Sequence, residues 1–274
     1  MVKKFESKQA EIKYYEEEAE EAEFLAWYHQ QELGKYAKPS LTIDNIIFAF
    51  NSTTEKLQVL LIERLKNPER HKYAFPGGFV NKNEDAKQAA IRETKEEVGI
   101  LVDDKNIWQV GLFSTPDRDP RYWVVSVTHV TYLPPRDIDK IVAGDDAKAA
   151  HWVNIERDGD ALYFEDEKGK RIDLAELAFD HKKMFMTSFN RIKQYLEIEP
   201  DIVQILGNEF TINEVLAIFK IFDERFAKMD NSNFKKIFIQ RHKIFQIVSG
   251  QDFKPKLRST GVGRPKLLIR YLKR

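Results

Sequence analysis

From Leu41 onward, runs of β-branched and aromatic residues alternate with short clusters of turn formers, which predicts strands over residues 43–50, 57–63, 108–114 and 122–132. Asn51-Ser52-Thr53-Thr54 and Thr115-Pro116-Asp117 break these runs, because Asn, Asp, Ser and Pro favour turn geometry over a ladder. One helix interrupts the strands at 84–98, with Asn83 as the expected N-cap and Gly99 as the stop. A turn-rich stretch at 156–170 follows His151-Trp152-Val153, and then the period changes. Leu174, Leu177, Ala178, His181, Met184, Phe185 and Phe189 recur at helical spacing. Thr211-Ile212-Asn213-Glu214 is a capping box whose helix is expected to reach about Met229, and Asn231 or Ser232 is expected to cap the next one. Residues 1–33 read as one acidic helix in which Glu16, Glu17, Glu18, Glu20, Glu21 and Glu23 lead into Phe24, Leu25, Trp27 and Tyr28.

In the helix after Asn231, a turn of 100° per residue puts Phe234, Ile237, Phe238, Ile244 and Phe245 on one arc. Lys235, Lys236, Gln240 and Lys243 fall on the opposite arc, while Arg241 lies inside the apolar one. A basic helix face alone is ordinary solvated surface. Here it follows a capped helix and a short turn, and precedes Lys254, Lys256, Arg258, Arg264, Lys266 and Arg270 around Gly261-Val262-Gly263. That order is the pattern of a winged helix, in which a helix enters the major groove and a hairpin meets phosphate. Lys235, Lys236, Lys243, Arg264 and Lys266 are the candidate contacts to double-stranded DNA. A homodimer would present two such modules to two half-sites.

The length of 274 residues suggests about two domains, and 42% hydrophobic residues are enough to build a sizeable core. The absence of cysteine excludes disulfides and Cys-ligated zinc. The opening residues lack an apolar signal core and no run is long enough to span a bilayer, so a cytoplasmic location with no membrane partner is expected. Forty-four basic residues balance 44 acidic ones, which at face value disfavours a polyanion partner. The zero is a cancellation: the chain carries −9 up to Gly169 and +9 beyond it, with +11 from Asn231 onward. Such asymmetry points to a nucleic-acid-binding part.

The densest chemistry lies in the acidic part. Gly77-Gly78-Phe79-Val80 leads through Glu84 to Arg92-Glu93-Thr94-Lys95-Glu96-Glu97-Val98-Gly99. On a helix, Glu93, Glu96 and Glu97 stand at i, i+3 and i+4, so three carboxylates are expected to converge on one face. Like charges so placed repel and favour a compensating cation, and hard oxygen ligands select Mg²⁺ or Mn²⁺. Ala86, Ala89 and Ala90 are small enough to let this helix lie close to a sheet.

Gly78, Glu84, Arg92-Glu93, Glu96-Glu97 and Gly99 occur at the spacing of the Nudix box, which the segment closely resembles. Seven fixed positions at ordinary residue usage make a chance match on the order of 10⁻⁸. Thr94 departs from the pattern, which usually has an aliphatic residue there. The resemblance implies a metal-dependent hydrolase of nucleoside diphosphate derivatives, with Glu93 and Glu97 as principal metal ligands and Glu96 as ligand or general base. Glu84 would be an outer ligand, Arg92 would orient the glutamates, and the backbone at Gly77 or Gly78 would approach the metal. Tyr73-Ala74-Phe75-Pro76-Gly77-Gly78-Phe79-Val80 and Thr115-Pro116-Asp117-Arg118-Asp119-Pro120-Arg121 are similar to the ADP-ribose pyrophosphatase branch. Arg118, Arg121 and Phe79 are the implied substrate contacts, although two solvent-facing arginines on an Asp-Pro turn are an equal reading of the residues. Asp145-Asp146-Ala147 resembles the closing segment of the family, and Asp180-His181 is read as a helix-linker contact.

From Leu41 to the end the chain resembles the Nudix-related transcriptional regulators. The implied fold class is α+β, a Nudix α/β/α sandwich with a mixed sheet followed by a winged helix. The expected plan is an acidic helix (1–36), a Nudix domain (37–170), a linker helix (171–199) and a DNA-binding domain (200–274). The implied ligand is ADP-ribose or a similar nucleotide, either hydrolysed or sensed without turnover.

Overall fold

A computed structural model describes residues 5–30, 37–135, 147–250, 253–259 and 264–273. Asp145, Asp146 and Gly261-Val262-Gly263 lie outside the described residues. The chain forms two compact units, Met1–Lys38 and Pro39–Arg274.

The first unit holds two helices, α1 (Lys8–Glu17) and α2 (Glu21–Tyr28), in place of the single one expected. Ser7 caps α1 by accepting from the Ala10 amide at 3.1 Å. The break at Glu18 lets the aromatic residues meet: Tyr15 stacks on Trp27 with centroids 4.6 Å apart, and the Trp27 indole donates to Glu11 at 2.9 Å.

In the second unit, β1 (Ser40–Asn51), β2 (Lys56–Arg64), β3 (Tyr73–Ala74) and β4 (Gly77–Phe79) precede α3 (Ala86–Val98). They are followed by β5 (Ile107–Phe113), β6 (Val124–Tyr132), β7 (Ala147–Asp158), β8 (Ala161–Glu165) and β9 (Arg171–Asp173). The strands make one sheet in the order β5-β6-β1-β2-β7-β8-β9, with β3 added on β2 and β4 on β1. β1 and β6 run parallel while the β1–β2 and β5–β6 pairs are antiparallel, so the sheet is mixed. The stretch expected as turns at 156–170 is the β7–β8 hairpin with the start of its return.

Alternation along β1 and β2 supplies two apolar faces. Ile43, Ile47, Ala49, Leu60 and Ile62 pack with Ala89, Ala90 and Val98 of α3. Ile46, Phe48, Phe50, Val59 and Leu61 pack with Met184, Phe185 and Phe189 of α4 (His181–Tyr195). The result is the expected α/β/α sandwich, and each large side chain so buried contributes about 1.5–3 kcal/mol.

The same core continues into the C-terminal region. After a 3₁₀ segment (Asp201–Leu206) come β10 (Phe210–Thr211) and α5 (Ile212–Phe222), then a 3₁₀ turn (Glu224–Lys228) and α6 (Asn231–Phe234). α6 runs on as a π-helical segment (Lys235–Arg241) before β11 (Phe245–Ile247), β12 (Leu257–Arg258) and β13 (Lys266–Tyr271). β13 pairs with β10, β11 and β12, which completes a winged helix. Phe189 of α4 stacks on Phe222 of α5 at 4.5 Å, so the winged helix is fused to the sandwich through a continuous apolar core.

Helix ends depart from expectation for local reasons. Asp85, not Asn83, caps α3, because Asp85 and Gln88 satisfy each other's amides at 2.8 and 2.9 Å. The Thr211–Glu214 box is present, but α5 stops at Phe222, where extended Asp223 turns its carboxylate to the Arg225 amide. Asp230 precedes both expected caps and accepts from Asn233 at 2.8 Å. The wider π-helical winding leaves Arg241 exposed, off the apolar arc, and ends the helix before Ile244 and Phe245.

Candidate functional site

β4 lies antiparallel to β1, with Gly78 opposite Ile43 and Gly77 opposite Asp44. This register lays the Gly77-Gly78 backbone on the glutamate helix. A Cβ at Gly77 would fall 2.2 Å from the Ile43 carbonyl oxygen, so this position admits no side chain, and one at Gly78 would fall 2.2 Å from Glu93 Oε1 and displace that carboxylate. The Gly77 amide donates to Glu97 Oε2 at 2.8 Å, and Gly99, at φ +72°, ends the helix in the left-handed region.

Arg92 is the hub of the site. Its guanidinium donates to both oxygens of Glu84 at 3.0 and 2.6 Å, to Glu93 at 2.7 Å and to Glu96 at 3.0 Å. It also donates to the Phe79 carbonyl at 2.9 Å. Glu84 precedes α3 and reaches back to Arg92, and the Asn81 amide donates to it at 2.8 Å. Hydrogen bonds from Arg92, then from Asn81, pull the Glu84 carboxyl down to about 2. Of the three carboxylates of α3, Glu93 and Glu96 turn to Arg92 and Glu97 turns to Gly77. Among the described residues no three acidic or histidine side chains stand close enough to hold a metal ion in this arrangement, and one guanidinium shared by three carboxylates leaves the cluster with excess negative charge.

Glu93, Glu97, Arg92, Gly77, Phe79, Arg118 and Arg121 all line one cleft of about 410 Å³. Glu84 and Glu96 do not line it and reach it only through Arg92. Phe79 is exposed and stacks on Tyr122 at 6.3 Å. Arg121 is held in a bidentate pair by Asp119 at 3.0 and 2.7 Å. Arg118 is not solvent-facing. Its side chain is only 6% exposed, bound by both oxygens of Asp180 at 3.1 and 2.7 Å and 3.8 Å from Asp44.

This cleft also holds Asp44, which the sequence did not single out, and His181, expected only as a helix-linker contact. His181 Nε2 stands 3.3 Å from Asp44 Oδ1, and the Ser126 hydroxyl donates to Asp44 Oδ2 at 2.5 Å. The Phe75 amide donates to His181 Nδ1 at 3.0 Å, so Nδ1 is unprotonated and Nε2 carries the hydrogen that faces Asp44. Burial alone would raise the Asp44 carboxyl, but His181, Ser126 and Arg118 outweigh it and hold it below the usual range. Asp180 and His181 thus join the start of α4 to the arginine of the cleft and to the Phe75 backbone between β3 and β4. The one available signal was Asp44 itself, a charged residue inside an apolar run. Thr94 also has a purpose: its hydroxyl donates to the Ala90 carbonyl at 2.7 Å and accepts from buried Asn45 at 2.8 Å, and Thr131 closes the chain onto Asn45 at 2.9 Å.

The basic residues divide into two sets. Lys256 and Arg258 pair with Glu209 and Glu214 at 2.6 and 2.9 Å, and Lys266 pairs with Glu55 at 3.2 Å. Lys236, Arg241, Lys243 and Arg264 are exposed; Lys235 is half-buried. Lys243 lies beyond the helix, in a turn at φ +53°.

Sheet, glutamate helix and glycine approach define the class, and the chain belongs to the Nudix family: the NUDIX domain model matches residues 41–170. An ADP-ribose pyrophosphatase of Methanocaldococcus jannaschii is 34% identical over 149 residues, 54% of this chain and 72% of that protein. The ADPR responsive transcriptional repressor NtrR of Acinetobacter baylyi is 28% identical over 203 residues, 73% of this chain and 72% of the relative. Among solved structures, a MutT/nudix family protein from Enterococcus faecalis superposes with a TM-score of 0.78 at 40% identity, covering 98% of this chain and 100% of that one. Shewanella oneidensis NrtR, complexed with a 27mer DNA, shares the fold at a TM-score of 0.59 and 20% identity, over 85% of this chain and 93% of its own.

Proposed function

We propose that the chain is a Mg²⁺-dependent hydrolase of ADP-ribose or a similar nucleoside diphosphate derivative whose site also governs DNA binding by the winged helix. The observation that carries this reading is the Arg92 hub under Gly77-Gly78, opening on a cleft that also presents Arg118 and Arg121. The names of the two curated relatives, a pyrophosphatase and a repressor that both concern ADP-ribose, support it.

The donor set fits a hard divalent cation: carboxylate oxygens of Glu93 and Glu97, with Glu96, Glu84 and the Gly77 backbone nearby. Glu93 and Glu96 would exchange their bonds to Arg92 for the cation. Bound there, Mg²⁺ or Mn²⁺ would offset charge on the phosphoryl oxygens as water attacks. The chain's own work is positioning. Gly77 fixes Glu97, Arg92 keeps Glu84 ionised as its partner, and one glutamate takes the proton of the attacking water. Arg121 and Arg118 meet the pyrophosphate, and Phe79 with Tyr122 offers a flat face to a ring.

Arg118 gives the same site a regulatory consequence. A pyrophosphate competes with Asp180 for this guanidinium, and Asp180 begins the helix whose later residue Phe189 is packed on α5. Occupancy is therefore felt by the winged helix, for which exposed Lys236, Lys243 and Arg264, with Lys235 and Lys266, are the proposed DNA contacts. A cytoplasmic homodimer is the proposed working form. The test is release of AMP from ADP-ribose by the full chain: release that depends on Mg²⁺ supports the reading, and no release at any Mg²⁺ concentration leaves only a sensor.

A further inference from the structure

A second cleft, of about 430 Å³, shares no lining residue with the first. It opens on the face of the sheet that carries α4, between β5 and β6, α4, the 3₁₀ segment at Asp201–Leu206 and the end of the chain at Lys273. Its volume is that of a small-molecule site. Trp108 and Tyr132, with ring centroids 4.8 Å apart, provide flat aromatic surface, and Ile192 and Ile202 add apolar wall.

The polar groups here are unevenly spent. Tyr132 is 7% exposed, lines the cleft, and its hydroxyl takes no hydrogen bond from a described residue. A phenol that lines a cleft with its donor uncommitted suits an acceptor brought to it. Burial also pushes this phenol up, so it stays a donor. The Lys273 ammonium sits 5.0 Å over the Trp108 ring and 3.8 Å from Asp201, outside hydrogen-bond reach. Arg191 gives one N–H to the Val110 carbonyl at 2.9 Å and has others to give. Asp201, in contrast, already accepts from Gln204 at 2.9 Å and Tyr271 at 3.2 Å, and Glu199 is exposed. The cleft therefore combines unspent donors with an aromatic floor.

We propose that this cleft binds a small anion bearing an aromatic or heteroaromatic ring. The ring lies on Trp108 and the apolar wall, the anionic group bridges Arg191 and Lys273, and an acceptor meets the Tyr132 hydroxyl. Such a ligand touches the Nudix sheet, the linker helix and the last residues of the winged helix at once, so its binding is linked to the packing of all three.

Two probes test this on the full chain: benzoate, a carboxylate on a bare ring, and AMP, a phosphate with a purine. Saturable binding of either, with a shift of the Trp108 indole N–H signal in ¹⁵N NMR, is the expected result. Binding should weaken by about tenfold or more in Arg191→Ala and Lys273→Ala, which change exposed side chains, and measurably in Tyr132→Phe, which keeps the ring. Benzoate alone would indicate a carboxylate ligand and AMP alone a phosphate one. If neither moves the Trp108 signal, if AMP shifts only residues of the first cleft, or if the variants bind as the parent does, the proposal is overturned.

Discussion

The Nudix cleft and the basic face treat charge in opposite ways. Around Arg92 and Arg118 nearly every charge has a partner, with Glu84, Glu93 and Glu96 on one guanidinium and Asp180 on the other. Along the winged helix, Lys236, Lys243 and Arg264 point to solvent. Under the proposed function, the difference separates two kinds of phosphate recognition. A site that must hold one ligand in one pose preorganises its charges against each other and releases them to the ligand. A surface that must follow a long polyanion leaves its cations free and draws affinity from counterion release.

Six variants, in four tests, break or sharpen this contrast. The largest effect is expected for Glu97→Gln, which should lower Mg²⁺-dependent release of AMP from ADP-ribose by about 100-fold or more while leaving DNA retardation intact. Asp180→Asn comes next. It leaves buried Arg118 short of its partner, a loss of about 3 kcal/mol, read as a lower denaturant midpoint in urea. On the basic face, Lys236→Ala, Lys243→Ala and Arg264→Ala should each reduce the slope of DNA affinity against salt by about 1, with melting temperature unchanged. The smallest effect concerns pH. Glu84 stands near 2 in the fold against an ordinary 4.5, so its contribution to stability is complete above about 4.5 and is lost as pH falls towards 2. Melting curves of the parent and Glu84→Gln should therefore differ at neutral pH and draw together across that interval.

The alternation in β1 and β2, the alanines of α3 and the spacing from Gly78 to Glu97 made the sandwich and its glutamate helix legible, because period and close approach are written locally. The helix ends were not, since Asp85, Asp223 and Asp230 compete with neighbouring caps of similar strength. Nor was the fate of Arg118: its partners Asp44 and Asp180 are far away in sequence, and only the fold brings them together. The same holds for Lys266 and Glu55, which removes one expected DNA contact from the free set. The linker helix shares one core with both the sandwich and the winged helix, so deletion of residues 200–274 would strip Phe189 of its partner Phe222 and is a poor test of DNA binding.

The link between the two regions is tested most directly by gel retardation of the protein's own upstream DNA, titrated with ADP-ribose in the presence of Mg²⁺, for the parent and Glu97→Gln. Both should retard the DNA at low salt and release it as ADP-ribose is added. The parent should then rebind as the ligand is consumed, whereas Glu97→Gln should stay released. Retardation that ADP-ribose leaves untouched, or none at low salt, would contradict the joining of the two sites in one chain.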